Sequence, residues 1–254
     1  MSGATVTVEA ADVLSILAHD LQSLARLHDR EVDSDTLVEL RGIEFPQSLC
    51  LILDDDRAEG AHDLLGQSLA QLETPTHGQL DELAADFADI YLNHGLQASP
   101  CESVWLDEDG LAMQQPMFQI REWYAKYGLM TKNWRIRSDD HLALQLQFLA
   151  ELLHRAQRHE NSLVVVADAA RFLDEHLLRW IDDFSQRIAQ RCGTAFYAGS
   201  AMLTASYVHT LRDLLAELLD DPRPSTEEIE QRMRPKAEPI EVPLHYMPGT
   251  SPSW

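Results

Sequence analysis

Apolar residues recur three and four positions apart through most of the chain, which is the spacing of one face of an α-helix. The first such stripe, over residues 11–28, places Leu14, Leu17, Leu21 and Leu24 on one side. The same spacing returns in six later stretches, at residues 61–72, 80–91, 117–127, 142–153, 173–188 and 203–218. No sustained alternation of apolar and polar residues, typical of a half-buried strand, competes with it. The pattern therefore predicts an all-α protein.

The later stripes also predict which side chains are fully buried. By their spacing, five residues face inward from two successive helices: Leu146, Leu149, Leu177, Ile181 and Phe184. Trp180 lies just off the second of these stripes. A position at the edge of the core is the favoured interpretation for Trp180, although its ring could instead line a groove.

Two stretches interrupt the helical pattern. Residues 94–116 contain two glycines and two prolines, which predicts a long hinge-like connection between two helical groups of a single-domain bundle. Seven of the eleven prolines lie after residue 221, which rules out a continuous helix there. We therefore expect a helical domain over residues 1–221 and a proline-rich tail over residues 222–254. This tail is extended or disordered, with room for a short helical turn at residues 226–233.

The balance of charge narrows the class of partner. The chain has 42 acidic and 20 basic residues and a formal net charge of −22, which would repel nucleic acid and suits a cationic partner. Its three cysteines show no disulfide or metal-binding pattern, as is typical of a reducing compartment. We find neither a secretion signal nor an apolar stretch that could span a bilayer. The sequence therefore predicts a cytoplasmic location without stable membrane insertion.

The most distinctive polar segment is Ser138-Asp139-Asp140-His141, directly before the stripe at residues 142–153. Its simplest interpretation is structural: Ser138 caps the helix, and Asp139 and Asp140 complement the positive end of the helix dipole. A functional interpretation has Asp140 and His141 projecting into a groove that receives cationic groups. A metal ion shared by this segment is disfavoured, because adjacent helical residues face different directions.

A second candidate segment, residues 102–105, lies inside the first interruption. An aromatic residue in such a connection usually fills the core. However, Trp105 beside Glu102 also offers an apolar surface with an anionic neighbour, which suits a peptide carrying both arginine and apolar side chains. Cys101 is disfavoured as a nucleophile, because the sequence does not position a histidine beside it.

The order of several short motifs resembles the TorD/DmsD family of redox-enzyme maturation chaperones. Residues 99–104 (SPCESV) are similar to the family's S-P-x-E-S-V, and residues 139–143 (DDHLA) to its D-D-H-L-A. Three further matches follow the family's order: Y-x-x-x-G-L at residues 124–129, F-M-A at 148–150 and F-L-x-x-H-L-x-x-W-x-x-x-F at 172–184. Gln145 and Gln147 depart from the pattern, because the family usually carries acidic residues there.

This resemblance implies a helical chaperone with no catalytic residues, cofactor or metal of its own. Its partner would be a molybdenum-containing oxidoreductase of the dimethyl sulfoxide reductase type, bound before cofactor insertion and export. The chain would bind the apoenzyme, its twin-arginine signal peptide or both, as a monomer or a domain-swapped dimer. The implied client-binding surface comprises Glu102, Ser103, Trp105, Asp139, Asp140, His141 and Trp180. Asp140 and Glu102 would receive arginines, and Trp105 would contact the apolar segment.

Two other classes of function stay open from the sequence. A helical metal-dependent hydrolase could use Asp139, Asp140 and His141, although no second cluster completes a coordination shell. A generic scaffold could bind another protein's helix in the same grooves without recognising paired arginines. A bound metal would favour the hydrolase, whereas recovery of a molybdoenzyme subunit with the chain would favour the chaperone.

Overall fold

A computed structural model describes residues 8–133, 137–158 and 162–234, and over these ranges the chain is helical, without a β-strand. The all-α prediction is therefore confirmed. A π-helical turn, Ala88–Leu92, follows the fourth helix, and a 3₁₀ turn, Leu177–Arg179, precedes the ninth. The helices are α1 (Val8–Asp29), α2 (Ser34–Gly42), α3 (Asp56–Gln71), α4 (His77–Phe87), α5 (Ser103–Leu106), α6 (Gln115–Lys126), α7 (Leu142–Arg158), α8 (Ser162–Glu175), α9 (Ile181–Arg191), α10 (Ala195–Leu219) and α11 (Thr226–Met233).

Local sequence signals set several helix ends. At the start of α4, Thr76 and Gln79 form a capping box, in which each side chain bonds to the backbone of the other residue. At the end of α6, Gly128 takes a positive φ of 69°, a conformation that glycine adopts without a steric penalty. The Leu129 N–H then bonds to the Tyr124 carbonyl at 2.9 Å, which closes the helix with a Schellman-type cap.

The core forms where helices distant in sequence pack together. Helix α1 packs on α7, α3 packs on α10, and α10 also contacts α8 and α9. The five residues predicted as fully buried are fully buried: Leu146, Leu149, Leu177, Ile181 and Phe184. The stripe at residues 173–188 is not one helix, because the 3₁₀ turn that contains Leu177 separates α8 from α9. Trp180 is buried as well, so its core interpretation holds.

The connection at residues 94–116 lies within one compact unit, which extends to Arg223. Helices on its two sides interleave, because α1 packs on α7 and α3 packs on α10. Its middle is buried and contains the one-turn helix α5, which packs on α6. Residues 99–103 are buried and residues 104–106 are half-buried, whereas a solvated linker would leave them exposed.

The chain beyond Arg223 forms a second unit, described as far as residue 234. Helix α11 in this unit starts with a capping box between Ser225 and Glu228. The short helical turn that the sequence allows at residues 226–233 is thus present as Thr226–Met233, and residues 235–254 of the expected tail lie outside the described part of the chain. None of the described helices is both long and apolar enough to cross a membrane.

Helices α3 and α10 approach closely at Gly199 of α10. A Cβ atom at this position would lie 2.8 Å from Leu65 Cγ and 3.1 Å from the Ala61 carbonyl oxygen, and both distances are shorter than ordinary van der Waals contacts. The backbone oxygen cannot move without moving α3, so the site is closed to larger residues. The role of Gly199 is therefore to let two central helices touch.

We expect Gly199→Ala to lower the free energy of unfolding by about 1–3 kcal/mol, because the added methyl group overpacks the α3–α10 contact. Gly66 of α3 is the matched control, because a Cβ there meets no atom within 4 Å. Gly66→Ala should instead stabilise the protein by about 0.5–1 kcal/mol, since alanine favours the helix. Urea denaturation of both variants gives the comparison, and equal shifts would contradict the close-packing argument.

Candidate functional site

The two polar segments that the sequence singles out lie side by side. Cys101 and His141 pair as an isolated antiparallel bridge. On either side of it, the Glu102 N–H donates to the Asp140 carbonyl at 3.2 Å, and the Leu142 N–H donates to the Pro100 carbonyl at 2.8 Å. Residues 99–103 and 139–142 are therefore neighbours in the fold, as the functional interpretation requires.

Glu102 lies at the centre of a buried polar cluster. Its Oε1 is 2.8 Å from His176 Nδ1, and its Oε2 accepts a hydrogen bond of 3.1 Å from Gln145 Nε2. All three residues are fully buried. Gln145 therefore suits its position, because an acidic side chain there would set a second carboxylate against Glu102.

Asp140 is also fully buried, and its carboxylate serves the backbone of α5. Asp140 Oδ2 accepts a hydrogen bond of 2.7 Å from the Ser103 N–H, and Ser103 is the first residue of that helix. The first N–H groups of a helix have no partner within it, so the carboxylate satisfies one of them. Asp140 thus differs from the expectation that it projects into a groove. Asp140 and Glu102, both expected to receive arginines, bond instead to groups inside the protein.

The cap of α7 is His141, which corrects the assignment of this role to Ser138. The helix begins at Leu142, and His141 Nδ1 accepts a hydrogen bond of 3.1 Å from the Ala143 N–H. The Ser138 hydroxyl is buried and bonds to no other group among the described residues. The bridge to Cys101 fixes the backbone so that the helix starts three residues later than the polar pattern suggested.

Accepting this bond requires a neutral imidazole, and the environment of His141 provides one. Burial, followed by the nearby positive charge of Arg137, lowers the pKa of His141 to about 3. Burial likewise lowers the pKa of His28 to about 3, where the ring lies 2.5 Å from the Tyr91 hydroxyl and 2.8 Å from Thr204 Oγ1. Both histidines are uncharged in the folded protein at neutral pH.

These two histidines make the protein less stable in acid. Each histidine has a pKa of 6.5 in the unfolded chain and of about 3 in the folded protein. The unfolded chain therefore takes up protons first, and the free energy of unfolding decreases as the pH falls below 6.5. We expect His141→Asn, which keeps a capping oxygen, to reduce the loss of unfolding free energy between pH 7 and pH 5 by about 2 kcal/mol. Chemical denaturation at both pH values measures this. His77→Asn, at an exposed position, is the control, and parallel losses in all three proteins would contradict the prediction.

Asp139 differs from the other two carboxylates because its partner comes from the surface. Asp139 Oδ2 accepts hydrogen bonds from Arg121 Nε at 2.9 Å and from Arg121 Nη2 at 2.6 Å. The Asp139 side chain is 3% exposed, whereas that of Arg121 is 42% exposed. The guanidinium carbon of Arg121 also lies 5.5 Å from the centre of the exposed Phe118 ring. Here a buried carboxylate binds an arginine that reaches solvent.

Trp105 and Trp180 stack on each other at the far end of α5. Their ring centres are 6.4 Å apart with an angle of 26° between the planes. Trp180 is buried, whereas Trp105 is half-buried and donates its indole N–H to the Ser99 carbonyl at 2.8 Å. The guanidinium carbon of Arg187 lies 4.7 Å from the centre of the Trp105 ring. Trp105 is therefore the part of this pair that a ligand can reach.

The alternative of a metal-dependent hydrolase finds no support in this geometry. Asp139, Asp140 and His141 bond to three separate partners and do not converge on one point. In the described ranges, no group of three histidine, cysteine or acidic side chains is placed to hold a metal ion. Burial, followed by the negative charge of Asp140, raises the pKa of the Cys101 thiol, which disfavours the reactive thiolate.

Four residues outside the implied client-binding surface contact its members. His176 and Gln145 hold Glu102, and Arg121 and Arg187 contact Asp139 and Trp105. His176 belongs to one of the recognised motifs, so its position within that motif was an available signal. The two arginines carry no such signal, because only the tertiary fold brings them to the site.

Comparison with protein families matches residues 54–186, half of the chain, to the family described as nitrate reductase delta subunit. Among curated proteins, the chain is 31% identical over 204 residues to "Chaperone protein TorD" of Vibrio cholerae serotype O1 (strain M66-2), which covers 79% of this chain and 86% of that protein. A protein of the same name from Vibrio vulnificus (strain YJ016) is 30% identical over 192 residues, covering 72% and 87%. The corresponding protein of Aliivibrio fischeri is 27% identical over 189 residues, covering 73% and 87%.

The family match includes both segments of the site and the helices that support them, α5 to α8. The relatives are named as chaperones rather than as enzymes. Sequence motifs, an all-α fold and this similarity over most of the chain agree. The chain therefore belongs to the TorD family of redox-enzyme maturation chaperones and is itself a chaperone, not an enzyme.

Proposed function

We propose that this chaperone acts in the cytoplasm on a molybdenum-containing oxidoreductase of the dimethyl sulfoxide reductase type. It binds the apoenzyme, its twin-arginine signal peptide, or both, before cofactor insertion and export. The observation that carries this proposal is the similarity to TorD chaperones over 79% of the chain. The net charge of −22 supports it, because a strongly acidic protein attracts a peptide with paired arginines.

In this proposal, Asp139 and Trp105 contact the signal peptide directly. Asp139 already binds the guanidinium of Arg121. The Trp105 side chain is half-buried, and one face of its ring lies next to the guanidinium of Arg187. The remaining members of the surface hold these two in place. Residues 99–103 are joined to residues 139–142 by Glu102, Asp140 and His141. The Ser103 N–H donates to the Asp140 carboxylate, and the Trp180 ring stacks on that of Trp105.

An exposed apolar surface lies next to these contacts, and we assign the apolar segment of the signal peptide to it. Leu111, Met113 and Phe118 are 53%, 40% and 51% exposed at and before the start of α6. Gln114, between them, donates its N–H to Ser103 Oγ at 3.3 Å, which ties this surface to α5. Apolar side chains beside an arginine-binding carboxylate match a peptide in which paired arginines precede an apolar stretch.

We expect a signal peptide with two arginines to bind more tightly than its Lys-Lys variant, because a guanidinium donates two hydrogen bonds to a carboxylate. Asp139→Asn should weaken binding of the arginine peptide about tenfold, and Trp105→Ala should cost about 2 kcal/mol by removing the aromatic contact. Isothermal titration calorimetry measures both, and binding should weaken as the salt concentration rises.

The matched control is Asp168→Asn. Asp168, whose side chain is 13% exposed, also pairs with a surface cation, Lys126, at 2.5 Å, so the change in charge is the same. Binding should be unaffected by this change. Equal affinity for both peptides, with no effect of Asp139→Asn or Trp105→Ala, would refute the assigned site and would favour a scaffold that does not recognise arginine.

A further inference from the structure

The surface proposed to bind the client already holds two arginine side chains of the chaperone itself. The first is Arg121, whose Nε and Nη2 donate to Asp139 and whose guanidinium lies over the Phe118 ring. A carboxylate together with an aromatic face satisfies both the charge and the flat surface of a guanidinium. We name these two residues, Asp139 and Phe118, the first arginine site.

The second is Arg187, which lies over the Trp105 ring at 4.7 Å and donates from Nη1 to the Gln97 carbonyl at 3.0 Å. An aromatic face and a carbonyl oxygen favour arginine over lysine, because the guanidinium is flat and less strongly hydrated. We name Trp105 and the Gln97 carbonyl the second arginine site. Helix α5 joins the two sites. Its first residue, Ser103, donates its N–H to Asp140, the neighbour of Asp139 in the chain, and Trp105 follows two residues later in the same helix.

The burial of the two partners shows which one can leave. Arg121 is 42% exposed and can turn into solvent, whereas Asp139 is almost fully buried. A buried carboxylate left without a partner is costly, so Arg121 leaves readily only when another cation replaces it. Glu102 offers no such exchange, because its partners His176 and Gln145 are themselves fully buried.

We infer that Arg121 and Arg187 occupy, in the free chaperone, the two sites that the paired arginines of the client enter. The inference rests on the proposed function and adds its regulation: each internal arginine competes with one arginine of the client. The free chaperone thereby keeps Asp139 paired and Trp105 covered. The measured affinity for a client is lower than the intrinsic affinity of the empty sites, because the competing contacts must break first.

The test removes each internal arginine in the full-length chaperone and measures binding of a synthetic twin-arginine signal peptide by calorimetry. Arg121→Gln and Arg187→Gln should each tighten binding roughly three- to tenfold, the value of one partly exposed ion pair or cation–π contact. Arg121→Lys keeps the charge but loses the two-donor geometry, so it should give an intermediate gain. The Lys-Lys peptide should gain less than the twin-arginine peptide.

Two arginines outside the sites provide matched controls. Arg171 is 56% exposed and binds the buried Glu175 at 2.6 Å, so Arg171→Gln changes the charge in the same way as Arg121→Gln. Arg191 lies one turn after Arg187 in α9 and donates to the Leu96 carbonyl at 2.9 Å in the same loop. Neither control should tighten binding, and thermal unfolding of each variant identifies any loss of folded protein.

The outcomes separate this inference from the proposed function. If the twin-arginine peptide binds the natural chain and neither Arg121→Gln nor Arg187→Gln tightens that binding, the inference is overturned and the proposed function stands. Tightening by Arg121→Gln alone overturns the second arginine site. Equal tightening by the controls shows an effect of net charge and also overturns the inference. If no chaperone variant binds the peptide, peptide recognition fails, and the inference fails with it.

Discussion

Glu102→Ala is expected to lower the free energy of unfolding by about 3–5 kcal/mol, which is the effect of removing one partner from a buried charged network. The change leaves His176 Nδ1 without its acceptor, and Gln145 Nε2 keeps only its bond to the Asp140 carbonyl, in a region closed to solvent. Urea denaturation followed by circular dichroism measures the loss. Because Glu102 is the residue before α5, the same change should also loosen the bridge between residues 99–103 and 139–142.

The exposed Glu108, in the turn after α5, is the matched control. Glu108→Ala should change the free energy of unfolding by less than about 0.5 kcal/mol, because the surface carboxylate is solvated in both states. Coupling gives a stricter test. The double variant Glu102→Ala/His176→Ala should cost clearly less than the sum of its two single variants, since both remove the same contact. Additive losses would contradict the network.

This structural role of Glu102 changes how binding experiments are interpreted. A loss of peptide binding in a Glu102 variant follows from disorder of α5 even where Glu102 never touches the peptide. Asp139 is the better probe, because its arginine partner reaches solvent and the α5 backbone bonds to Asp140 instead. Under the proposed function, Asp139 contacts the client and Glu102 only positions the contacting residues. The sequence alone does not distinguish these two roles, because both residues are acidic.

The sequence predicts the helices and their buried faces well because both follow from spacing within one helix. The five predicted core residues are all buried, and Gly128 closes α6 as its type suggests. The cap of α7 was assigned to Ser138 instead of His141 because the deciding contact is the bridge to Cys101, 40 residues away in the chain. Such a contact leaves no trace in the local pattern.

The same limit applies to the chemistry of the site. Acidic residues in an acidic chain suggest a solvated face, but Glu102 is buried because its partners come from residues 43 and 74 positions away. The family motifs bring these residues together correctly, since motif order reflects the fold. They do not indicate which motif residues face a ligand and which face one another. Arg121 and Arg187 lie outside the recognised motifs, and only the structure connects them to the site.

Phe184 links the core of the protein to the exposed part of the site. Its ring packs against Trp180 at 5.6 Å between ring centres, against Trp105 at 6.5 Å and against His28 at 6.3 Å. Phe184 therefore packs between the Trp105–Trp180 pair and the neutral, buried His28 of α1. Edge-on contacts of this kind hold both tryptophan rings in one orientation.

We expect Phe184→Ala to lower the free energy of unfolding by about 3–5 kcal/mol, because a fully buried phenylalanine is replaced by a cavity. The exposed Phe118 is the matched control, and Phe118→Ala should cost less than about 0.5 kcal/mol. Phe184→Leu, which fills most of the space, should lie between them in stability. In that milder variant the loss of the ring should change the fluorescence of Trp105 and Trp180, since the indole rings lose their shared support. Unchanged fluorescence with a large loss of stability would show that Phe184 belongs to the core alone and does not position Trp105.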